Sequence, residues 1–244
     1  MNLKQFTIET ASKIANRLGF ELRHFGHIKN IPNAELYRPL FEPWRDPVMA
    51  KALRVSDSHS LTSADRRYVL YVLARQALRA VSGDFIECGV YKGGTAYLFA
   101  QLMKEEASIR SLHLFDTFTG MPRTNPRYDL NLEGYFSDTS LESVKEYLSG
   151  FTNVTAYPGL IPETLKGAAS RRFALAHIDL DIYEPILSAT EFIYERMNPG
   201  GFIIYDDYGF ASCPGARAAV DTFFAQKKEI PMVLATGQSI VFKS

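Results

Sequence analysis

A chain of 244 residues, 46% of them apolar, can bury a sizeable core as one large domain or as one domain with an appendage. Its 27 basic and 27 acidic residues cancel and no basic run stands out, which excludes a field broad enough to recruit nucleic acid or an anionic membrane. Cys88 and Cys213 are too few for a disulfide framework, residues 1–25 carry charge throughout, and no apolar run reaches membrane-spanning length, so a cytoplasmic protein is expected.

Phe6, Ile14 and Leu18 recur at helical spacing and predict an N-terminal helix. Residues 26–60 have weak periodicity and four prolines, Pro32, Pro39, Pro43 and Pro47, and read as an irregular cover with short helical pieces. Trp44, Tyr37 and Phe41 fit either a lid over a bulky acceptor or packing against the body. Residues 64–81 form a helix with Tyr68, Val72 and Leu78 on its apolar positions and Gly83 beyond its end. A regular alternation follows: strand 84–90, helix 95–106, strand 111–116, and a polar loop over 117–136. Thr139 with Glu142 fits a capping box opening a helix through Leu148. Strands 153–158 and 173–180, helix 184–197, the turn Asn198-Pro199-Gly200-Gly201, strand 201–206 and helix 215–227 come next. Two closing strands flank Thr236-Gly237-Gln238 as an antiparallel hairpin. The pattern predicts a mainly parallel seven-stranded α/β sheet covered on both faces, with ligands bound beyond the carboxyl ends of its strands.

The polar residues of interest sit at those ends. In FIECGVYKGGTAYLF, Gly89, Gly93 and Gly94 lie between a strand and a helix, a pattern that suits either a tight turn or close approach to a ligand. The spacing is neither the dinucleotide fingerprint nor a P-loop. Glu87 inside the strand suits a cationic or amine-bearing ligand, and Asp116 at the next strand end suits the two hydroxyls of a ribose. Together they point to a nucleoside that carries positive charge and no phosphate, as S-adenosylmethionine does. Downstream, Asp179 ends the apolar run FALAHI, and Asp206 and Asp207 end GFIIY. A carboxylate at the end of a buried strand costs stability unless something compensates it. Single acids at strand ends also cap helices, a reading that stays open for Asp181 above all. His113 and His177 read as core or supporting residues, and His59 as a surface residue within reach of a substrate.

The stretches FIECGVYKGGTAYLF, LHLFDTFTGMP, GYFSDTSLESVKEYL, VTAYPGLIPETL, HIDLDIY and GGFIIYDDYG, in this order, resemble the macrocin O-methyltransferase family (TylF/MycF/NovP-like enzymes) over roughly residues 60–244. The resemblance implies a class I, Rossmann-like methyltransferase fold, S-adenosylmethionine, Mg²⁺, and methylation of a hydroxyl on a sugar or glycosylated natural product. It implies that Glu87, Cys88, Gly89, Val90, Tyr91, Gly93, Gly94 and Thr95 hold the methionine and ribose parts of the cofactor. It places Asp116, Thr117 and Phe118 at ribose and adenine, Ser137 and Asp138 by the adenine ring, and Gly159, Leu160 and Ile161 along the cofactor side of the next strand. Asp179, Asp206 and Asp207 match its metal site, and Asp179 its proposed base.

Three carboxylates converging without a cation would repel one another, whereas a hard divalent ion with oxygen ligands removes that cost. Residues 1–60 are expected to form a lid and acceptor-pocket region, and residues 61–244 the cofactor-binding domain. The expected partner is a small-molecule sugar or glycoside acceptor. Oligomers are common in the family, and nothing in the sequence fixes a state. Two further readings compete: a glycosyltransferase using Asp179-Leu180-Asp181 as a D-x-D metal site, and a non-catalytic module that keeps a degenerate nucleoside site.

Overall fold

The computed structural model describes residues 42–244, together with residues 11, 14, 15, 17 and 18. The chain divides into two compact units, residues 1–41 and 42–244. In the first, residues 11, 14, 15 and 17 are helical, and the Leu18 amide donates to the carbonyls of Ile14 (3.2 Å) and Ala15 (2.9 Å), in line with the expected helix. Phe6, His24, His27, Pro32, Tyr37, Pro39 and Phe41 lie outside the described residues.

The second unit opens with short helical pieces around Pro43 and Pro47: a 3-10 turn at Pro43–Arg45, helix α1 (Pro47–Leu53) and a 3-10 segment at Arg54–His59. The Asp46 carboxylate caps α1 through the amides of Val48 and Met49, and Pro47 occupies the first turn, where a missing N–H costs nothing. These pieces pack within the same unit as the sheet. The Trp44 ring lies 6.2 Å from that of Tyr68, the Arg67 guanidinium donates to Leu53 O, and the Tyr147 hydroxyl donates to Val55 O.

The alternation then runs α2 (Ala64–Ala80), β1 (Asp84–Cys88), α3 (Gly94–Glu105), β2 (Leu112–Asp116), α4 (Leu141–Tyr147), β3 (Val154–Pro158), β4 (Phe173–Ile178), α5 (Tyr183–Tyr194), β5 (Met197–Tyr205), α6 (Pro214–Phe224), β6 (Met232–Val233) and β7 (Ser239–Phe242). The expected box at Thr139 and Glu142 sits one residue away from the real one. Ser140 and Ser143 cap α4 reciprocally, because the Thr139 hydroxyl is engaged by the Tyr91 carbonyl at 2.6 Å. β5 starts at Met197 and takes in the expected turn at 198–201. Gly200, at φ +82°, lies there, and the pairing with β4 is irregular between Phe173 and Leu175, as in a bulge.

The sheet order is β3-β2-β1-β4-β5-β7-β6, with β1 to β5 parallel and β7 antiparallel to both β5 and β6. Alternate strand residues face opposite sides. Phe85, Leu114, Leu175 and Ile204 join one buried cluster with Leu70 and Ala74 of α2 and Phe99 of α3. Ile86, Phe115, Ile178 and Ile203 join another with Ile186 of α5 and Val220 of α6. No described helix is long and apolar enough to cross a membrane.

Candidate active site

Register fixes the site. Phe115 pairs with Cys88, Cys88 with Ile178, and Ile178 with Tyr205. One residue further on, Asp116, Gly89, Asp179 and Asp206 therefore stand in a row at the carboxyl edge of the sheet. Amide bonds continue the ladder into this row: Gly89 N to Phe115 O at 2.9 Å, Asp179 N to Cys88 O at 2.8 Å, and Asp206 N to Ile178 O at 3.0 Å. Gly89 has φ +88°, and a Cβ there would lie 1.7 Å from the Asp179 carbonyl oxygen, so only glycine allows the two strand ends to pass so closely.

Above this edge lies a cavity of about 310 Å³. Of the residues expected to hold a cofactor, Gly89, Val90, Tyr91, Gly94, Thr95, Asp116, Thr117, Gly159, Leu160 and Ile161 line it. Asp116 organises this half. One carboxylate oxygen accepts from the amides of Val90 (2.6 Å) and Tyr91 (2.9 Å), and the other from Phe118 N (2.7 Å), so the acid ties the Gly-rich turn to the end of β2. Glu87, Cys88, Gly93, Phe118, Ser137 and Asp138 are not in the cavity wall. Asp138 is exposed and accepts from Lys92 and from the Tyr91 hydroxyl, which hold its carboxyl below the usual range. Cys88 is fully buried, and burial pushes its thiol well up.

Glu87, expected from its position to face a cationic ligand, faces the protein instead. It lies on the α2–α3 side of the sheet and pairs in register with His177. One of its oxygens accepts from Thr95 Oγ1 and lies 2.9 Å from His177 Nδ1, while the other has no hydrogen-bond partner. His177 Nε2 lies 3.6 Å from Asp206 Oδ1. Burial would lower the His177 pKa, but the flanking Asp206 and Glu87 carboxylates outweigh it and raise the pKa to about 10. The two flanking acids thus favour the protonated ring.

The acids on the other half fall into two groups. Asp206 and Asp207 are consecutive, follow the end of β5 at Tyr205, and belong to different groups. Asp206 groups with His177 and Asp179, and Asp207 with Asp181 and Cys213. Asp206 is fully buried, paired to Arg66 through Oδ2 and to Gln238 Nε2 through Oδ1 at 2.8 Å. Burial alone would raise its pKa, but His177, Arg66 and Gln238 together hold it below the usual carboxylate range. Asp207 accepts the Asp181 amide at 3.0 Å. Burial, followed by the charges of neighbouring acids, raises Asp179 and Asp207 well above that range and raises Asp181 as well.

β4 ends at Ile178, so Asp181 does not share the side of Asp179 by strand alternation. Asp181 takes φ +60° in a tight turn in which Ile182 N bonds Leu180 O at 2.6 Å. That strained backbone, on the order of 1–3 kcal/mol, presents Asp181 to the cavity. Asp179 groups with His177 and Asp206, and Asp181 with Asp207 and Cys213, although both acids line the same cavity.

Sequence patterns pass over several residues of the wall. Arg66 reads as an ordinary solvated helix residue, and only the fold brings it to Asp206. Met121, Pro122 and Phe136 come from the polar loop, and Phe210, Ser212 and Cys213 from the segment after β5. The Cys213 thiol donates to Asp181 at 3.3 Å and is pushed up to about 12, chiefly by burial. His59, read as a surface residue within reach of a substrate, lines the cavity and stacks on Tyr147 at 3.8 Å. His113 is a core residue, bonded to Asp84 (3.0 Å) and to the Tyr157 hydroxyl (3.1 Å).

The donor set fits a hard divalent cation. Asp179, Asp181 and Asp207 offer oxygens at the cavity, and Asp206 lies behind them. Burial, then Asp206 and Asp207, push Asp179 toward the neutral form, and burial, then Asp181 and Asp206, do the same to Asp207, a cost that a divalent ion would remove. The other half fits a cationic nucleoside: a glycine-rich turn opening α3, an acid at the end of β2, and no Lys or Arg besides Arg66 among the described residues of the wall.

A family model described as macrocin-O-methyltransferase (TylF) matches residues 55–242. The chain is similar to the 8-demethyl-8-(2,3-dimethoxy-alpha-L-rhamnosyl)-tetracenomycin-C 4'-O-methyltransferase of Streptomyces olivaceus, at 29% identity over 72% of each chain. It is also 29% identical to the mycinamicin III 3''-O-methyltransferase of Micromonospora griseorubida, over 64% of this chain and 67% of that protein. Among solved structures, the O-methyltransferase NovP superimposes with a TM-score of 0.65 at 22% identity, covering 76% of this chain and 82% of that one. The calicheamicin methyltransferase CalS11 gives 0.63 at 20%, covering 80% and 93%.

Proposed function

The chain belongs to the macrocin-O-methyltransferase family of S-adenosylmethionine-dependent enzymes, and on that premise we propose that it methylates a hydroxyl of a sugar or glycosylated natural product with the help of Mg²⁺. The observation that carries this reading is the row of Asp116, Gly89, Asp179 and Asp206 along one sheet edge. It sets a glycine-rich turn and a cluster of acids on either side of a single cavity. Relatives that act on sugar-bearing natural products support the acceptor class.

S-adenosylmethionine supplies a sulfonium methyl, and Mg²⁺ supplies Lewis acidity and a template for acceptor oxygens. The protein's own residues do the rest. Asp116 holds the turn formed by Val90 and Tyr91 in the shape that receives the cofactor. Gly89, Gly94, Thr95, Thr117 and Gly159 line its bed, with Leu160 and Ile161 as apolar wall. Asp179, Asp206 and Asp207 hold the metal, and Asp179, the first of these at the cavity, takes the acceptor's proton. A carboxylate beside Mg²⁺ is a weak base, but the ion would acidify the acceptor hydroxyl as well, so the two pKa values would approach each other. Residues 1–60 supply the acceptor wall and a lid, to which His59 and Ser60 already contribute at the cavity.

The test is methyl transfer from labelled S-adenosylmethionine across a panel of sugars and glycosides, with calorimetry of S-adenosylhomocysteine alongside. Binding of the product with transfer to a glycoside hydroxyl is expected. NAD or nucleotide-sugar binding with no response to S-adenosylhomocysteine would overturn the reading.

A further inference from the structure

Arg66 stands in the first turn of α2, on the cavity wall, and its side chain is 15% exposed. Three contacts fix the guanidinium besides the ion pair. Nε donates to Ser63 Oγ at 3.1 Å, one terminal nitrogen donates to Leu61 O at 3.1 Å, and the group lies 5.0 Å from the centre of the Phe210 ring. The remaining terminal nitrogen alone reaches Asp206 Oδ2. On the far side of the same carboxylate, Oδ1 is taken by Gln238 and faces His177. Asp206 therefore has one oxygen to offer a metal ion, and Arg66 covers it.

We propose that Arg66 and the divalent cation are alternative partners of Asp206, so that the metal enters by displacing one guanidinium N–H from Oδ2. The inference rests on the metal reading given above. Two positive groups cannot share one buried oxygen without strong repulsion. The displacement is small, because the bonds to Ser63 and Leu61 and the Phe210 ring keep the rest of the guanidinium in place. Arg66 is then a positioning residue. It holds Asp206 in a single orientation before loading, and it sets the concentration of cation that the site requires.

The experiment compares wild-type protein with Arg66→Met and Arg66→Lys, each checked for fold by circular dichroism. Binding of Mn²⁺ is read from the paramagnetic resonance signal of the free ion, with Mg²⁺ as competitor. Arg66→Met removes the competing charge and keeps the apolar stem, so it binds Mn²⁺ about tenfold more tightly, whereas Arg66→Lys stays within about threefold of wild type. Equal or weaker binding by Arg66→Met than by wild type overturns the inference and leaves the metal reading standing. Absence of Mn²⁺ binding in wild type and variants alike overturns both. A measurement on the wild type covers the case of a variant that does not fold. Phenylglyoxal modification of Arg66, mapped by mass spectrometry, is faster with Mg²⁺ than without it. An unchanged or slower rate on loading counts against displacement.

Discussion

Glu87 Oε1 lies 2.9 Å from His177 Nδ1, on neighbouring strands in register, with both side chains fully buried. The pair joins the two halves of the site through the core. Glu87 also accepts from Thr95 at the start of α3, beside the Gly-rich turn, and His177 faces Asp206 on the acidic side. The flanking acids favour a protonated His177, so Glu87→Gln weakens its buried hydrogen bond with little change in volume. It costs about 1.5–3 kcal/mol of stability, read from the urea midpoint. Because Glu87 does not line the cavity, its effect on S-adenosylhomocysteine affinity in the folded protein is smaller than its effect on stability. A variant as stable as wild type would show that the pair contributes nothing.

Asp116 gives the opposite pattern. Its carboxylate accepts three amide bonds, two of them from the turn that forms one wall of the cavity. Asp116→Ala frees those amides and loosens the turn. Cofactor binding weakens by about 1–3 kcal/mol, measured by calorimetry with S-adenosylhomocysteine. Unchanged affinity would separate Asp116 from the cofactor site.

The strand–helix alternation made the layered sheet legible in the sequence. The acids at strand ends were legible because apolar runs such as FALAHI and GFIIY leave so few places for a carboxylate. Their partners were not. Arg66 is 140 positions from Asp206 and follows a helical pattern that says nothing of a buried ion pair. That the consecutive acids Asp206 and Asp207 have different neighbours was not legible either, because both follow the end of β5 and their surroundings come from distant segments. Glu87 was visible as an anomaly in an apolar strand, but whether it faces a ligand or a histidine depends on register, which is set by strands some 90 positions apart. Glycine spacing likewise marked the turn. At Gly89 the close approach is to Asp179 of the same chain.

Far from the site, Glu229 carries a pH signature. Burial raises its pKa, but hydrogen bonds from Ser244, Tyr194 and Lys243 outweigh this and hold the carboxyl far below the ordinary glutamate value. A folded pKa below the unfolded one gives stability that is present above the ordinary carboxylate range and is lost as pH falls toward the folded value. Wild type therefore loses more stability than Glu229→Gln between neutral and strongly acid pH, in urea titrations at a series of pH values. Parallel profiles would refute the assignment.

Residues 1–60 are proposed to close over cofactor and acceptor, which would exclude water from the sulfonium. Of these, residues 43–59 already form short helical pieces in the same unit as the sheet. Protection on closing is read over the whole of residues 1–60. Limited proteolysis with mass mapping is expected to cut this region several-fold more slowly when S-adenosylhomocysteine and an acceptor are present together. Equal rates with and without ligands would remove the lid.

Asp179 is the residue on which the proposed chemistry turns. It follows β4 directly and lines the cavity, and burial, then the charges of Asp206 and Asp207, raise its pKa. Asp179→Asn keeps the shape and hydrogen-bonding capacity of the side chain but removes its charge and its capacity to take a proton. Asp116 and the Gly-rich turn remain, so S-adenosylhomocysteine affinity stays within a few-fold of wild type, while methyl transfer falls by roughly 10²–10⁴, the range of a lost general base. Asp206→Asn and Asp207→Asn behave differently. Their loss lies in metal affinity, and high Mg²⁺ partly restores their transfer rate, whereas it does not restore Asp179→Asn. Asp181→Asn costs less than any of the three. Transfer rates for the four variants across a Mg²⁺ titration, with excess chelator as the zero point, separate these roles. Full wild-type transfer in excess chelator would take the metal out of the reaction and leave the acids with structural work alone.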